Sequence, residues 1–171
     1  MSLPDANTQA KASIEAAEIF VNHYYQALNK QSPLSNFYIN SSSKYTIAAD
    51  ISINGSVVAT PAAYSTLLEG QGPGVRYDME SFDVHVINPS TKYAAPKNIQ
   101  IQDSTKSEKS GARMSLVVTT MGKVQFGKGR EAARKMFTET FVLVPNWDSM
   151  AKNPPRGLKR WLIMSQNFRA L

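Results

Sequence analysis

Apolar residues recur at intervals of three and four near the start of the chain. Ile14, Ala17, Val21, Tyr24 and Leu28 fall on one stripe of a helix. Ser32-Pro33 ends that helix, because the residue before a proline avoids the α region. Residues 34–39 read as a short helical turn leading into a strand. The period then changes to two. Tyr45, Ile47, Ala49, Ile51 and Ile53 alternate with polar or small residues, which predicts a half-buried strand. Asn54-Gly55 accepts positive φ at both positions and predicts a tight hairpin, with the chain returning through Val57 and Val58. Thr60-Pro61 predicts a second helix, with the threonine as N-cap and the proline in its first turn. Gly70 is expected to close it in the left-handed conformation.

A glycine-rich link, 71–74, leads into a long strand over 75–87. Its alternation slips phase at Glu80 and Ser81, which predicts a bulge. Residues 88–111 are polar, rich in Lys, Ser and Thr, and read as an exposed excursion with a short strand at 98–102. Three strands finish the chain. Met114, Leu116, Val118, Val124 and Phe126 share one face of the first, and Phe137, Phe141 and Leu143 one face of the second. Leu162, Met164 and Phe168 share one face of the third. The order helix, hairpin, helix, long strands is α+β. A chain of 171 residues with 42% apolar content is expected to form one domain over 1–171, with basic loop insertions near 88–113 and 127–135.

Charge changes this picture. The net charge of +6 is unevenly spread: residues 1–91 carry −4, residues 92–135 carry +7 and the remainder +3. A basic half attracts polyanions, of which nucleic acid is the commonest inside cells, or it simply solubilises the surface. No cysteine is present, which removes disulfides, thiolate metal sites and cysteine nucleophiles together. No stretch approaches the roughly 20 apolar residues of a membrane span, and the first eleven residues lack the apolar core of a secretory signal. A soluble intracellular protein is expected.

Three groups of residues carry candidate chemistry. Asp83 and His85 are two apart and share a strand face, where a desolvated aspartate beside a neutral histidine can act as a general base. Lys128, Arg130, Arg134 and Lys135 form the densest basic cluster, and with Lys106, Lys109 and Arg113 they offer contacts for phosphates. No aromatic lies among them, so such contact is expected to be electrostatic and poor in sequence preference. The third group opposes the core on the late strands: Val117, Thr119 and Met121, then Thr138, Thr140 and Val142, then Trp161, Ile163, Ser165 and Asn167. These positions are apolar for a sheet face in water, so either a partner or a helix covers them.

Four segments carry a resemblance: HYYQAL at 23–28, LSNFYI at 34–39, F-x-E-x-F-x-L at 137–143, and the closing stretch 161–169. In this order they resemble the nuclear transport factor two-like family, over nearly the whole chain. Within it the chain is most similar to the fungal mRNA-transport regulators, small subunits of heterodimeric mRNA-export receptors. The family's carrier for the GTPase Ran has acidic residues on its cavity rim, whereas the matching loop here reads Gly127-Lys128-Gly129-Arg130.

The resemblance implies a curved antiparallel sheet wrapped around helices, a cystatin-like cone. It implies a non-enzymatic adaptor without cofactor or metal, whose outer sheet face pairs with the similar domain of a large subunit. Arg169, after Phe168, is then expected to face an aspartate of that subunit. The heterodimer would carry RNA or ribonucleoprotein, touch phenylalanine-glycine repeats of the nuclear pore, and shuttle between nucleus and cytoplasm. The alternative is a small-molecule isomerase or dehydratase of the same fold using Asp83 and His85.

Overall fold

The computed structural model describes residues 3–89 and 109–171. Helix α1 spans Ala6–Asn29 and starts at Asp5, whose carboxylate accepts the Thr8 backbone N–H at 2.7 Å. Its buried stripe holds Ala17, Val21, Tyr24 and Leu28 as expected, widened by Phe20 and Tyr25. Ile14 is exposed, because the buried face of the first turns centres on Ser13, Ala16, Ala17 and Phe20 and leaves Ile14 at its margin. At the other end, Asn29 fixes the helix to the sheet by exchanging two hydrogen bonds of 2.8 Å with the Tyr77 backbone.

The helical turn expected at 34–39 is present as two short 3₁₀ turns, Ser35–Phe37 and Ile39–Ser41. The strand expected from Lys44 shrinks to β1, Asp50–Ile53. Tyr38 forms an isolated bridge to Ile163, so the edge that residues 44–49 would need is already taken. Asn54 and Gly55 have φ of 50° and 84°, and the hairpin returns through β2, Ser56–Val58. Helix α2, Pro61–Glu69, is capped by Thr60, whose hydroxyl accepts the Ala63 N–H at 3.0 Å. Gly70, however, keeps a right-handed φ of −66°, and the left-handed step falls two residues later, at Gly72.

Four long strands follow: β3, Arg76–Asn88; β4, Ser115–Phe126; β5, Ala133–Pro145; and β6, Trp161–Ala170. The strand expected at 98–102 lies outside the described residues. The sheet order is β2-β1-β6-β5-β4-β3, antiparallel throughout except for the parallel β1–β6 pair. The bulge expected in β3 is there: pairing with β4 skips Glu80 between Met79 and Ser81. Gly122 stands opposite it, where a side-chain methyl would overlap the Asp78 carbonyl oxygen. Only glycine permits this close approach, which bends β3 over its neighbour.

The inner face packs on α1. Phe20, Tyr24 and Phe141 meet with ring centroids 5.0–5.6 Å apart, and Phe137 stacks on Phe168 at 5.4 Å. Aromatic rings so arranged fill the hollow of the sheet with side chains.

Candidate functional site

Alternation along β4, β5 and β6 sends every second residue outward, and the register sets those residues in rungs. Val117 pairs with Val142 and Val142 with Ser165; Thr119 with Thr140 and Thr140 with Asn167; Met121 with Thr138 and Thr138 with Arg169. Nine residues separated in sequence thus form one ladder of small, neutral side chains ending in a single arginine. Thr119, Met121, Asn167 and Arg169 are exposed, and the other five are partly exposed.

Trp161 and Ile163 do not belong to it. Pairing between β5 and β6 skips Met164, so Ile163 comes opposite Leu143 and is fully buried in the core. Trp161 turns inward with it, and its indole N–H donates to the Met114 carbonyl at 3.1 Å. One extra residue in a strand exchanges its two faces, and no local pattern in the β6 sequence marks where that happens.

Arg169 lies where the ladder meets the hairpin. The Asn54 side chain accepts the Ala170 N–H at 2.8 Å, and a methyl built on Gly55 would stand 3.8 Å from the Arg169 guanidinium. Among the described residues the guanidinium has no hydrogen-bond or ion-pair partner.

The basic residues separate into three kinds. Lys128 and Arg130 stand exposed on the β4–β5 turn, with Arg134 and Lys135 exposed just beyond it. Arg134 donates to the Gln125 side chain at 3.0 Å. Lys109 is exposed, and Lys106 lies outside the described residues. Arg113 is only 3% exposed, so it presents no cation to a phosphate. Its neighbours Met114 and Ser115 are buried as well, and the turn carries it into the protein.

Asp83 and His85 pair at 3.1 Å, but on the outside of the sheet, with side chains 74% and 73% exposed. The β3 bulge assigns the inner positions to Phe82, Val84 and Val86. A pair this exposed stands in open water, without walls to hold a substrate against it. Neither residue lines the grooves along α1 or the hollow beside α2 that the described residues form.

The inner face holds polar chemistry that sequence reasoning missed. Glu139 is 1% exposed. One carboxylate oxygen accepts the Tyr25 hydroxyl at 2.7 Å and the other accepts the Gln166 amide at 2.7 Å. Gln166 in turn donates to Tyr24 and accepts from Tyr38, at 2.7 and 2.6 Å. Burial pushes the Glu139 carboxyl up to about 7, against the pull of the Gln166 and Tyr25 hydrogen bonds. The signal was present: Glu139 keeps the inward parity of Phe137 and Phe141.

No protein-family model matches the chain, and no curated protein matches it significantly. Solved structures do. One, of the Chaetomium thermophilum Mex67 NTF2-like domain complexed with Mtr2, matches at 38% identity over 94% of this chain and 99% of the other, with a TM-score of 0.80. A Sac3N peptide bound to Mex67:Mtr2 is matched at 37% identity with the same two coverages and a TM-score of 0.81. A structure of Mtr2 is matched at 34%, over 94% and 99% of the two chains, with a TM-score of 0.77. A putative scytalone dehydratase from Novosphingobium aromaticivorans, at 11% identity, 98% and 89% coverage and TM-score 0.57, shares the fold alone. With more than a third of residues identical across nearly the full length of both chains, this chain belongs to the Mtr2-type family of NTF2-like proteins.

Proposed function

We propose that this chain is the small, non-enzymatic subunit of a heterodimeric nuclear mRNA-export receptor. It pairs through the outer face of β4, β5 and β6 with the NTF2-like domain of a Mex67-type large subunit. The single observation that carries this is the outer ladder itself, neutral and open from Val117 to Asn167, with Arg169 at its margin and without a partner among the described residues. Charged side chains normally occupy such a face in water, and their absence suits burial by a second sheet. The relatives support it: their structures include a complex of the Mex67 NTF2-like domain with Mtr2. Co-expression with a Mex67-type domain, followed by size exclusion, is the test. The expected result is one stoichiometric complex; a chain that elutes as a monomer beside every such domain overturns the reading.

Arg169 gives a sharper form of the test. A guanidinium buried against a partner's aspartate makes a charge-assisted, two-pronged pair. Arg169→Ala is expected to weaken the heterodimer by about 2–5 kcal/mol, since the aspartate is left buried and alone. Arg169→Lys recovers only part, because lysine lacks the planar fork. Calorimetric titration that finds the three proteins equal removes Arg169 from the interface.

The same reading assigns Lys106, Lys109, Lys128, Arg130, Arg134 and Lys135 to RNA or ribonucleoprotein cargo, and the heterodimer to the nuclear pore and its phenylalanine-glycine repeats. Four of these cations cluster at the β4–β5 turn, roughly 20 Å along β4 from the middle rung of the ladder. Binding to single-stranded RNA is expected to fall log-linearly with salt, at a slope of about 0.7 per phosphate contact. Neutralising Lys128, Arg130, Arg134 and Lys135 together lowers both affinity and slope and spares the heterodimer. An unchanged slope in filter binding makes the cluster a solvated surface only.

A further inference from the structure

A second surface lies on the helix side of the sheet and shares no residue with the outer ladder. Two hollows of about 540 and 340 Å³ flank α1. Both are lined by His23, Phe37, Gly157 and Lys159, so they form one groove. Its α1 wall runs from Ala12 to Lys30 at spacings of three and four, a face of the helix adjacent to the one buried in the core. At 1.5 Å per residue that wall is about 27 Å long, the span of roughly eight extended residues. The segment 157–161 forms the other wall.

The lining has a definite character. Ile19 on the helix and Leu158 on the facing segment are 51% and 38% exposed, two aliphatic side chains left in water on opposite walls. Among the described residues Lys30, Lys159 and Arg160 are set against one acid, Glu15, which makes this lining cationic. The Lys159 ammonium stands 4.2 Å from the centre of the Phe37 ring. We propose that this groove takes an extended acidic peptide segment of a partner protein, anchored by one aromatic or aliphatic side chain between Ile19 and Leu158, with its carboxylates toward Lys30, Lys159 and Arg160.

Charge complementarity selects the acidic segment, and the aliphatic walls select peptide over nucleic acid. A single strand of RNA needs open aromatic faces on which to stack. Here Phe20 and Phe37 are buried and the Phe37 ring already carries Lys159. Main-chain extension with one side chain in a pocket is the ordinary way such grooves gain both affinity and specificity.

The heterodimer, titrated with labelled peptides of about ten residues, tests this. Each peptide carries one central Phe or Leu in an Asp/Glu/Ser background. Controls replace the anchor by Ser or every acid by Lys, and oligouridylate of similar length is the nucleic-acid probe. Saturable binding of anchored acidic peptides is expected, with shifts of the Ala12, Ala16 and Ala27 methyl resonances in the wild-type protein. Both control peptides should bind at least about ten-fold more weakly. Ile19→Asp and Lys159→Glu should each cost a similar factor; Ile19 is exposed, so an unchanged circular dichroism spectrum is expected for its variant. No saturable binding by any anchored acidic peptide, an unweakened Ile19→Asp variant, or oligouridylate shifting those methyls in place of peptide overturns the proposal. Loss of heterodimerisation, by contrast, strikes the outer ladder and not this groove.

Discussion

Val117→Asp, or Asn167→Glu, abolishes pairing with the large subunit and leaves the fold intact. Val117 stands between His85 of β3 and Val142 of β5, and Asn167 between Thr140 of β5 and Ser52 of β1. All these residues point away from the core, so a carboxylate at either position is solvated in the free chain. Once a second sheet covers the ladder the same carboxylate is desolvated with nothing opposite, at a cost of several kcal/mol. Each 1.4 kcal/mol is a factor of ten, so the loss in affinity is about a thousand-fold or more. Size exclusion and circular dichroism read the two halves of this outcome. Leu67→Asp, on exposed α2, is the control expected to pair normally. A Val117→Asp chain that still forms the heterodimer would place the interface elsewhere.

The second large effect is a dependence on pH with a sign opposite to the usual one for a carboxylate. Glu139 is raised in the folded chain from an ordinary 4.5 to about 7, chiefly by burial. The folded state therefore holds this proton more tightly than the unfolded state does. Below about pH 4.5 both states are protonated and the contribution is fully present. It is lost progressively as pH rises toward 7, and above that the folded state bears a constant penalty on the order of 3 kcal/mol. Thermal denaturation between about pH 5 and 8 should show the melting temperature falling across this window. Glu139→Gln removes the titrating group and should flatten the curve, keeping an amide within reach of Tyr25 and Gln166. Parallel curves for the two proteins would mean that Glu139 is not the group that titrates.

These two effects sit on opposite sides of the same strand, since Thr138 and Thr140 face outward and Glu139 inward. Aromatic packing and the Glu139–Gln166–Tyr38 network hold β5 and β6 from within. The outward residues are thereby fixed at strand spacing for a partner. A pocket filled in this way suits an adaptor, which needs a firm surface more than a cavity.

The signals written locally into the chain were legible. Asn54-Gly55 turns because both residues take positive φ, and Thr60 caps because its hydroxyl reaches the N–H of Ala63. The slip in alternation at Glu80 became the β3 bulge, and Phe137, Phe141 and Leu143 lie inward together. All nine ladder residues follow from period two once the strands are recognised: Val117, Thr119 and Met121 on β4, Thr138, Thr140 and Val142 on β5, and Ser165, Asn167 and Arg169 on β6 after the bulge.

What tertiary structure alone decided were the questions of which surface stands opposite which. Residues 44–49 alternate like a strand, yet Tyr38 holds the edge they would pair with. Ile163 and Trp161 changed faces because the skip at Met164 is set by the pairing with β5. Asp83 and His85 share a face, as their spacing requires, but the bulge turned that face to water. Arg113, a cation in a polar stretch, is buried by the turn that carries it. The sequence by itself determined periods, caps and turns, since these depend on neighbours within a few residues. Burial and facing depend on hydrogen bonds and contacts made across distances of up to a hundred residues or more, such as Tyr38 with Gln166, and no local pattern contains them.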